Sequence, residues 1–325
     1  MTVIIPPMKI IKTKLDHSHL YTHLDINTIK VGEVIPYDIF IKKSEEYVII
    51  IEAGTLISEA LHAKLKNQEA LYIAKEDETK QILSCESLKY YIRHNRDNPK
   101  KRVALLYDVA EQLFDIFMSS PENKIHANCA ALIIKSIIYL IKHDANFARN
   151  TMPHFINNDA LANHSLHVSI YALILGNKLQ FNDTQLLQLG TAALLHDVGL
   201  KKIDHTVIEK TTKLSESESK SVQKHSQYSV EIVKQNKIHD PYILDAIMHH
   251  HERYDGSGYP NNLTKTEMSD FASILSICDV FDALTSARPH RKQYSSFEAL
   301  KMMMKDSEMI NQFNQKYLLI ALKLL

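Results

Sequence analysis

The chain has 325 residues, enough for two domains and a sizeable core. Its 38 Lys and Arg balance 38 Asp and Glu, and this zero net charge argues against a broad basic surface for duplex nucleic acid or an anionic membrane. With 7 glycines and 3 widely spaced cysteines there is no glycine-rich phosphate loop and no disulfide framework, whereas 18 histidines make the placement of that residue the first thing to map.

Residues 1–26 are mixed in character and carry His17, His19 and His23, which read as a solvated leader. The opening MTVIIPPMKIIKTK lacks the uninterrupted apolar stretch of a secretory signal, and the cysteine usage fits a reducing cytoplasm. Residues 1–81 read as a small α+β regulatory module. The β-branched run Tyr47–Ile51 predicts a strand, Ser58–Leu65 a short helix, and Ala70–Ala74 a second strand. Residues 82–150 read as a helical connector, with apolar residues at helical spacing over Arg102–Met118, a break at Pro121 and a second helix over Ile125–Ile141. The most apolar stretch, Cys129–Ile141, is too short to span a bilayer and contains Lys135, so no membrane association is expected. The N-terminal module and the connector helices are the candidates for a homodimer contact.

Residues 151–325 read as helix with punctuation. Asp183 is placed as a cap. Ser215 with Glu218, and Ser295 with Glu298, have capping-box spacing, and Asp240-Pro241 puts a cap before a proline at the first helical position. Gly199 has the position of a helix C-cap. The fold class is mainly α, a C-terminal all-helical domain behind a small α+β module and a helical connector.

Ten of the histidines lie at or after residue 164, several on stripes that should be buried. His164, Val168, Tyr171 and Leu175 share one helix face, and Val222, His225, Ser229 and Ile232 share another. His196-Asp197 ends an apolar run, His250-His251 ends a helix, and Asp279 interrupts the apolar segment Phe271–Phe281. A single histidine of this kind is more often a hydrogen-bonded core residue. Five histidines and two aspartates on separate apolar faces are hard to explain as independent accidents, because burying each one costs several kcal/mol unless something compensates. Divalent metal ions compensate for all of them at once, and mixed His/Asp ligation suits Fe, Mn, Zn or Ni.

Three segments, Leu194-Leu-His-Asp-Val-Gly199, His250-His-Glu-Arg-Tyr-Asp-Gly-Ser-Gly-Tyr-Pro260 and Asp279-Val-Phe-Asp-Ala-Leu-Thr-Ser-Ala-Arg-Pro-His-Arg291, resemble the HD-GYP domain of the HD phosphohydrolase superfamily. The resemblance covers roughly residues 155–325. It implies an all-helical domain binding two or three divalent metals, commonly Fe or Mn, and a phosphodiesterase that converts cyclic di-GMP to linear pGpG, often onward to GMP, with a metal-bridging hydroxide as attacking group. Carried over residue by residue, it implies His164, His196, Asp197, His225, His250, His251 and Asp279 as metal ligands, with His196 and Asp197 as the catalytic pair. It further implies that Tyr259, Arg288 and Arg291 contact the nucleotide. Asp282, one turn from Asp279, and Glu252 are candidates to orient a ligand from behind.

Two positions depart from the family. Its HDxGK lysine is Leu200 here, with Lys201 and Lys202 expected to point elsewhere. The glutamate of three-metal members, four residues before His164, is Ala160, with Asn158 and Asp159 off that face, which favours a dinuclear site and cleavage that stops at pGpG. Two alternatives stay open. One is a catalytically degenerate module that senses cyclic di-GMP. The other is a phosphodiesterase for a different cyclic dinucleotide, such as cyclic GMP-AMP. His167, His205, His239, His249 and His290 are left without a role, and Cys278 reads as a small buried residue.

Overall fold

The computed structural model describes residues 20–32, 35, 37–44, 46–77, 124–144, 147, 160–208, 210, 212–286, 293–306 and 309–325, with isolated positions between 104 and 117. The chain divides into two compact units, Met1–Asp97 and Asn98–Leu325. It is mostly helical with one small antiparallel sheet near the N-terminus, the architecture expected from the sequence. Among the described residues no helix is long and apolar enough to cross a membrane.

The first unit is a four-stranded antiparallel sheet in the order β1-β4-β2-β3, with β1 over Tyr21–Leu24, β2 over Ile39–Lys43, β3 over Glu46–Ile51 and β4 over Leu71–Ala74. Side chains alternate across it. Leu24, Ile39, Leu71 and Ile73 are buried in one core with Ile57 and with Leu65 of helix α1 (Glu59–Lys66). Each such side chain contributes roughly 1.5–3 kcal/mol by leaving water. The opposite face carries Tyr21 stacked on Tyr47 at 4.0 Å, with Tyr72 edge-on to Tyr47. Ser58 caps α1 by accepting from the Leu61 N–H. Strand β1 lies where the sequence reads as a solvated leader. Four residues are too few for alternation to stand out, and the strand exists through pairing with distant β4.

The second unit is built of helices: α2 (Lys124–His143), α3 (Ala160–Lys178), α4 (Asp183–Leu195), α5 (His205–Ile208), α6 (Glu216–Gln223), α7 (His225–Gln235), α8 (Pro241–His249), α9 (Asp270–Thr285), α10 (Ser296–Lys305) and α11 (Gln315–Leu324). The described positions between 104 and 117 are also helical. The capping boxes at Ser215 and Ser295 form, and Asp240 caps α8 ahead of Pro241. The cap of α4 is Asn182 rather than Asp183: its side chain accepts from the Gln185 N–H, and the Gln185 side chain returns the bond to the Asn182 N–H. Asp183 is the first helical residue, held by Lys142 at 2.6 Å. Helix α3 packs on α4 and α9, and α8 packs on the same two. That crossing brings the N-terminal part of α3 and the middle of α9 to the C-terminal ends of α4 and α8.

Gly199 corrects one expectation. It lies inside a 3-10 turn, Val198–Lys202, with ordinary backbone, and does not act as a left-handed cap. What it supplies is room, since a Cβ there would sit 2.2 Å from the His225 carbonyl oxygen and 2.5 Å from the Ser229 nitrogen. The turn after α4 and the start of α7 therefore touch backbone to backbone.

Candidate metal centre

His164 projects from α3, His196 and Asp197 follow α4, His225 opens α7, His250 and His251 follow α8, and Asp279 lies in α9. The fold brings all seven to one place. His196 and His250 are fully buried, and His225, Asp197 and Asp279 nearly so.

The ring orientations share one device. His196 Nδ1 lies 2.7 Å from the Ala193 carbonyl, His225 Nδ1 2.7 Å from that of Val222, and His250 Nδ1 2.7 Å from that of Ile247. In each case Nδ1–H donates to the residue three positions earlier, which leaves Nε2 as the lone pair aimed inward. His164 reaches the same result through a carboxylate, its Nδ1 donating to Asp282 Oδ2 at 2.8 Å. Its Nε2 stands 3.3 Å from Asp279 Oδ1 and 3.7 Å from Asp197 Oδ2.

Electron-rich atoms crowd the centre. His225 Nε2 is 3.1 Å from Asp197 Oδ1, 3.3 Å from His250 Nε2 and 3.2 Å from His251 Nε2. Asp197 Oδ1 and His196 Nε2 are both buried with no hydrogen-bond partner. Such orphaned groups are costly unless something else satisfies them. Two donor sets are close enough to hold a cation each: Asp197, His225, His250 and His251, and His164, His196 and Asp197. Asp197 belongs to both. Asp279 borders both as well, with Oδ1 near His164 and Oδ2 3.6 Å from His251 Nδ1.

The electrostatics agree. Burial drops the pKa of His196 to about 4, and burial together with the charge of His250 drops that of His251, so both rings are neutral. Burial would also lower His164 and His225. For His164, hydrogen bonds to Asp279 and Asp282 win and hold the pKa well above its ordinary value, and for His225 the charge of Asp197 raises it. Burial would raise Asp197 and Asp279, yet the surrounding histidines hold both carboxyls below their usual range. The cluster draws in positive charge, as a cation site must.

Tyr259 stacks on His251 with ring centroids 4.7 Å apart and lines a cavity of about 840 Å³ that also reaches Lys220, Lys224, Gln227 and Asn261. The loop carrying it is held from below by Glu252, which is fully buried. Glu252 Oε1 accepts from the Asn261 N–H at 2.6 Å and Oε2 from the Leu263 N–H at 2.9 Å, so this carboxylate braces loop backbone. Gly258 lies so close beneath that a Cβ would meet Glu252 Cα at 2.4 Å. Arg288 and Arg291 fall outside the described residues, as do His17, His19, Pro121, Asn158, Asp159 and His290.

Leu200 is half-buried in the 3-10 turn. Lys201 lies over the Phe114 ring, and Lys202 meets Glu231 and the Tyr228 ring, so both face away as expected. Cys278 is a buried small residue. His249 bonds Asp245 through Nδ1 and Asn261 through Nε2, tying α8 to the same loop. His167, left without a role in the sequence, is buried with Nδ1 3.0 Å from Asp282 Oδ1. Its spacing of three residues from His164 was the one available signal.

Comparisons with known proteins point the same way. Residues 144–311 match the HD domain family, more than half of the chain. A cyclic di-GMP phosphodiesterase of Pseudomonas aeruginosa is 34% identical over 140 residues, covering 43% of this chain and 34% of the relative. A 3'3'-cGAMP-specific phosphodiesterase of Vibrio cholerae is 35% identical over 144 residues, covering 44% and 31%. The chain thus spans about a third of the length of these curated relatives. The solved structure of an HDG"Y"P protein from Bdellovibrio bacteriovorus superposes with a TM-score of 0.64 over 93% of this chain and 98% of that one, at 18% identity, which speaks to the shared fold. With its histidine and aspartate cluster lying inside the matched segment, this chain belongs to the HD domain family.

Proposed function

We propose that the chain is a metal-dependent cyclic-dinucleotide phosphodiesterase that converts cyclic di-GMP to pGpG at a dinuclear centre of Fe or Mn. The observation that carries this reading is the convergence of histidine Nε2 atoms on Asp197, with Asp197 Oδ1 and His196 Nε2 buried and without a hydrogen-bond partner. In this reading His164, His196 and Asp197 would hold one ion, and His225, His250, His251 and Asp197 the other, with Asp279 available from between His164 and His251. Bound divalent ions would lower the pKa of water for attack at phosphorus and stabilise charge developing on the phosphate oxygens. Asp197 shares its two oxygens between the sets. Tyr259 offers an aromatic wall beside His251, and the amines of Lys220 and Lys224 bring positive charge to the adjoining cavity, where an anionic dinucleotide needs it. Arg288 and Arg291 are assigned to the phosphates by their resemblance alone.

The test is the double variant His196→Ala with Asp197→Ala. It should lose both its metal and its hydrolysis of cyclic di-GMP, and cleavage at the wild-type rate would overturn the assignment. One observation favours a second reading. Leu200 replaces a lysine, and the neighbouring Lys201 and Lys202 are engaged elsewhere, so a module that binds cyclic di-GMP without cleaving it fits the same donor set. Tight binding without turnover by metal-loaded protein would select that reading. Parallel assays with 3'3'-cyclic GMP-AMP decide the base preference.

A further inference from the structure

A buried chain of hydrogen bonds leads away from the centre. Asp282 Oδ2 accepts from His164 Nδ1 at 2.8 Å, and its other oxygen meets His167 Nδ1 at 3.0 Å and the Ser286 hydroxyl at 3.0 Å. His167 Nε2 is in turn hydrogen-bonded to the hydroxyl of Tyr107. Tyr107 is 1% exposed, His167 4% and Asp282 1%, so water does not interrupt the chain.

The order of donors follows from the chemistry. Asp282 presents its oxygens to this network: Oδ2 lies against His164 Nδ1, and Oδ1 accepts from the Ser286 hydroxyl. Both carboxylate oxygens serve as acceptors there, so His167 donates from Nδ1. With Nδ1–H committed to Asp282, Nε2 is the ring's acceptor, and the Tyr107 O–H donates to it. Each bond sets the tautomer of the next, and the last one fixes Nδ1–H on His164 and turns its Nε2 toward Asp197 and Asp279. A site that only needed filling would be served by phenylalanine and leucine, since burying a phenol and an imidazole costs free energy unless both are bonded.

We propose that Tyr107 and His167 are positioning residues for the metal ligand His164, acting through Asp282. Tyr107 precedes residue 144, where the family match begins, so the support of the centre extends into the helical segment upstream of the matched domain. Displacing that segment would reach the metal centre through a continuous set of hydrogen bonds. The inference rests on the metal-binding reading given above.

The experiment is a Co²⁺ titration of the full chain in four forms, the wild type, Tyr107→Phe, His167→Leu and His167→Asn, read by dissociation constant and by the visible d–d spectrum. His167→Leu should weaken Co²⁺ binding by roughly 10-fold or more and shift the band, the scale typical of losing a residue that orients a ligand. Tyr107→Phe should move both readouts in the same direction by less. His167→Asn places an amide donor near the lost Nδ1–H and should restore much of the affinity, a rescue that mere packing would not give. Wild-type binding within about twofold and an unchanged band in both Tyr107→Phe and His167→Leu would overturn the proposal. If His167→Leu does not fold, Tyr107→Phe decides alone. A wild type that takes up no cobalt would remove the metal reading itself, and the relay with it.

Discussion

His225 Nε2 lies 3.1 Å from Asp197 Oδ1, yet the carboxylate oxygen accepts no hydrogen bond. On the far side of the ring Nδ1–H is committed to the Val222 carbonyl, which aims Nε2 at the carboxylate. The same commitment in His196 and His250 turns three lone pairs toward one buried carboxylate. One shared proton can relieve one such pair of atoms. A divalent cation relieves several together, which makes the arrangement intelligible as a ligand shell.

Asp197→Asn should be the most damaging single substitution at the centre. The amide keeps the shape but removes the charge that both donor sets share. Metal content by elemental analysis should fall in both positions together, with a larger loss of affinity than the roughly 10–100-fold expected for a supporting residue. Loss of one ion with the other retained at full affinity would show that Asp197 serves a single site.

Gly199→Ala should damage the centre without touching a ligand. The added Cβ must displace the His225 carbonyl, 2.2 Å away, and with it the start of α7. Overpacking of this kind costs about 1–3 kcal/mol. Thermal unfolding of the metal-free protein should register the destabilisation, and metal affinity should fall in parallel. A wild-type melting curve would mean that the two backbones separate freely.

Glu252→Gln should separate substrate binding from metal binding. Both carboxylate oxygens accept loop N–H groups, and glutamine would turn an NH₂ toward one of them. Leaving that buried N–H unpaired costs about 1–3 kcal/mol and loosens the loop that carries Tyr259. KM for cyclic di-GMP should rise while metal content stays unchanged. Loss of metal with unchanged KM would place Glu252 in support of the ligands.

Metal uptake at neutral pH should release protons. In the metal-free chain, carboxylate partners raise the pKa of His164 and of His225, against burial. The stabilisation these charged pairs give is fully present below the unfolded value of 6.5 and is lost as pH rises through the raised folded values. A cation needs the same Nε2 lone pairs, so binding must expel the protons and must weaken as pH falls. Calorimetric titrations in two buffers of different ionisation enthalpy should differ. Equal heats would mean that the rings are already neutral.

The buried cluster is legible because each member breaks an apolar pattern, and a charge on a buried stripe is visible in a single sequence. The caps at Ser215, Asp240 and Ser295 were legible because their partners lie within a few residues. Asn182 was missed in favour of its acidic neighbour, although Gln185 completes its box. What sequence could not show depends on distant partners. His167 differs from a core histidine only through Asp282, 115 positions away, and Tyr107 only through His167. Glu252 looks like a ligand neighbour until the loop folds back over it. Strand β1 needs β4 to exist, and Gly199 looks like a cap until α7 arrives against it.

The central claim is tested most directly by the metal content of protein purified without chelators, followed by product analysis on cyclic di-GMP. The account predicts two divalent ions per chain, Fe or Mn, and linear pGpG that disappears when a chelator strips the ions and returns when they are restored. Protein that holds no divalent ion, takes none up when Fe²⁺ or Mn²⁺ is supplied, and leaves cyclic di-GMP unbound and intact would contradict it.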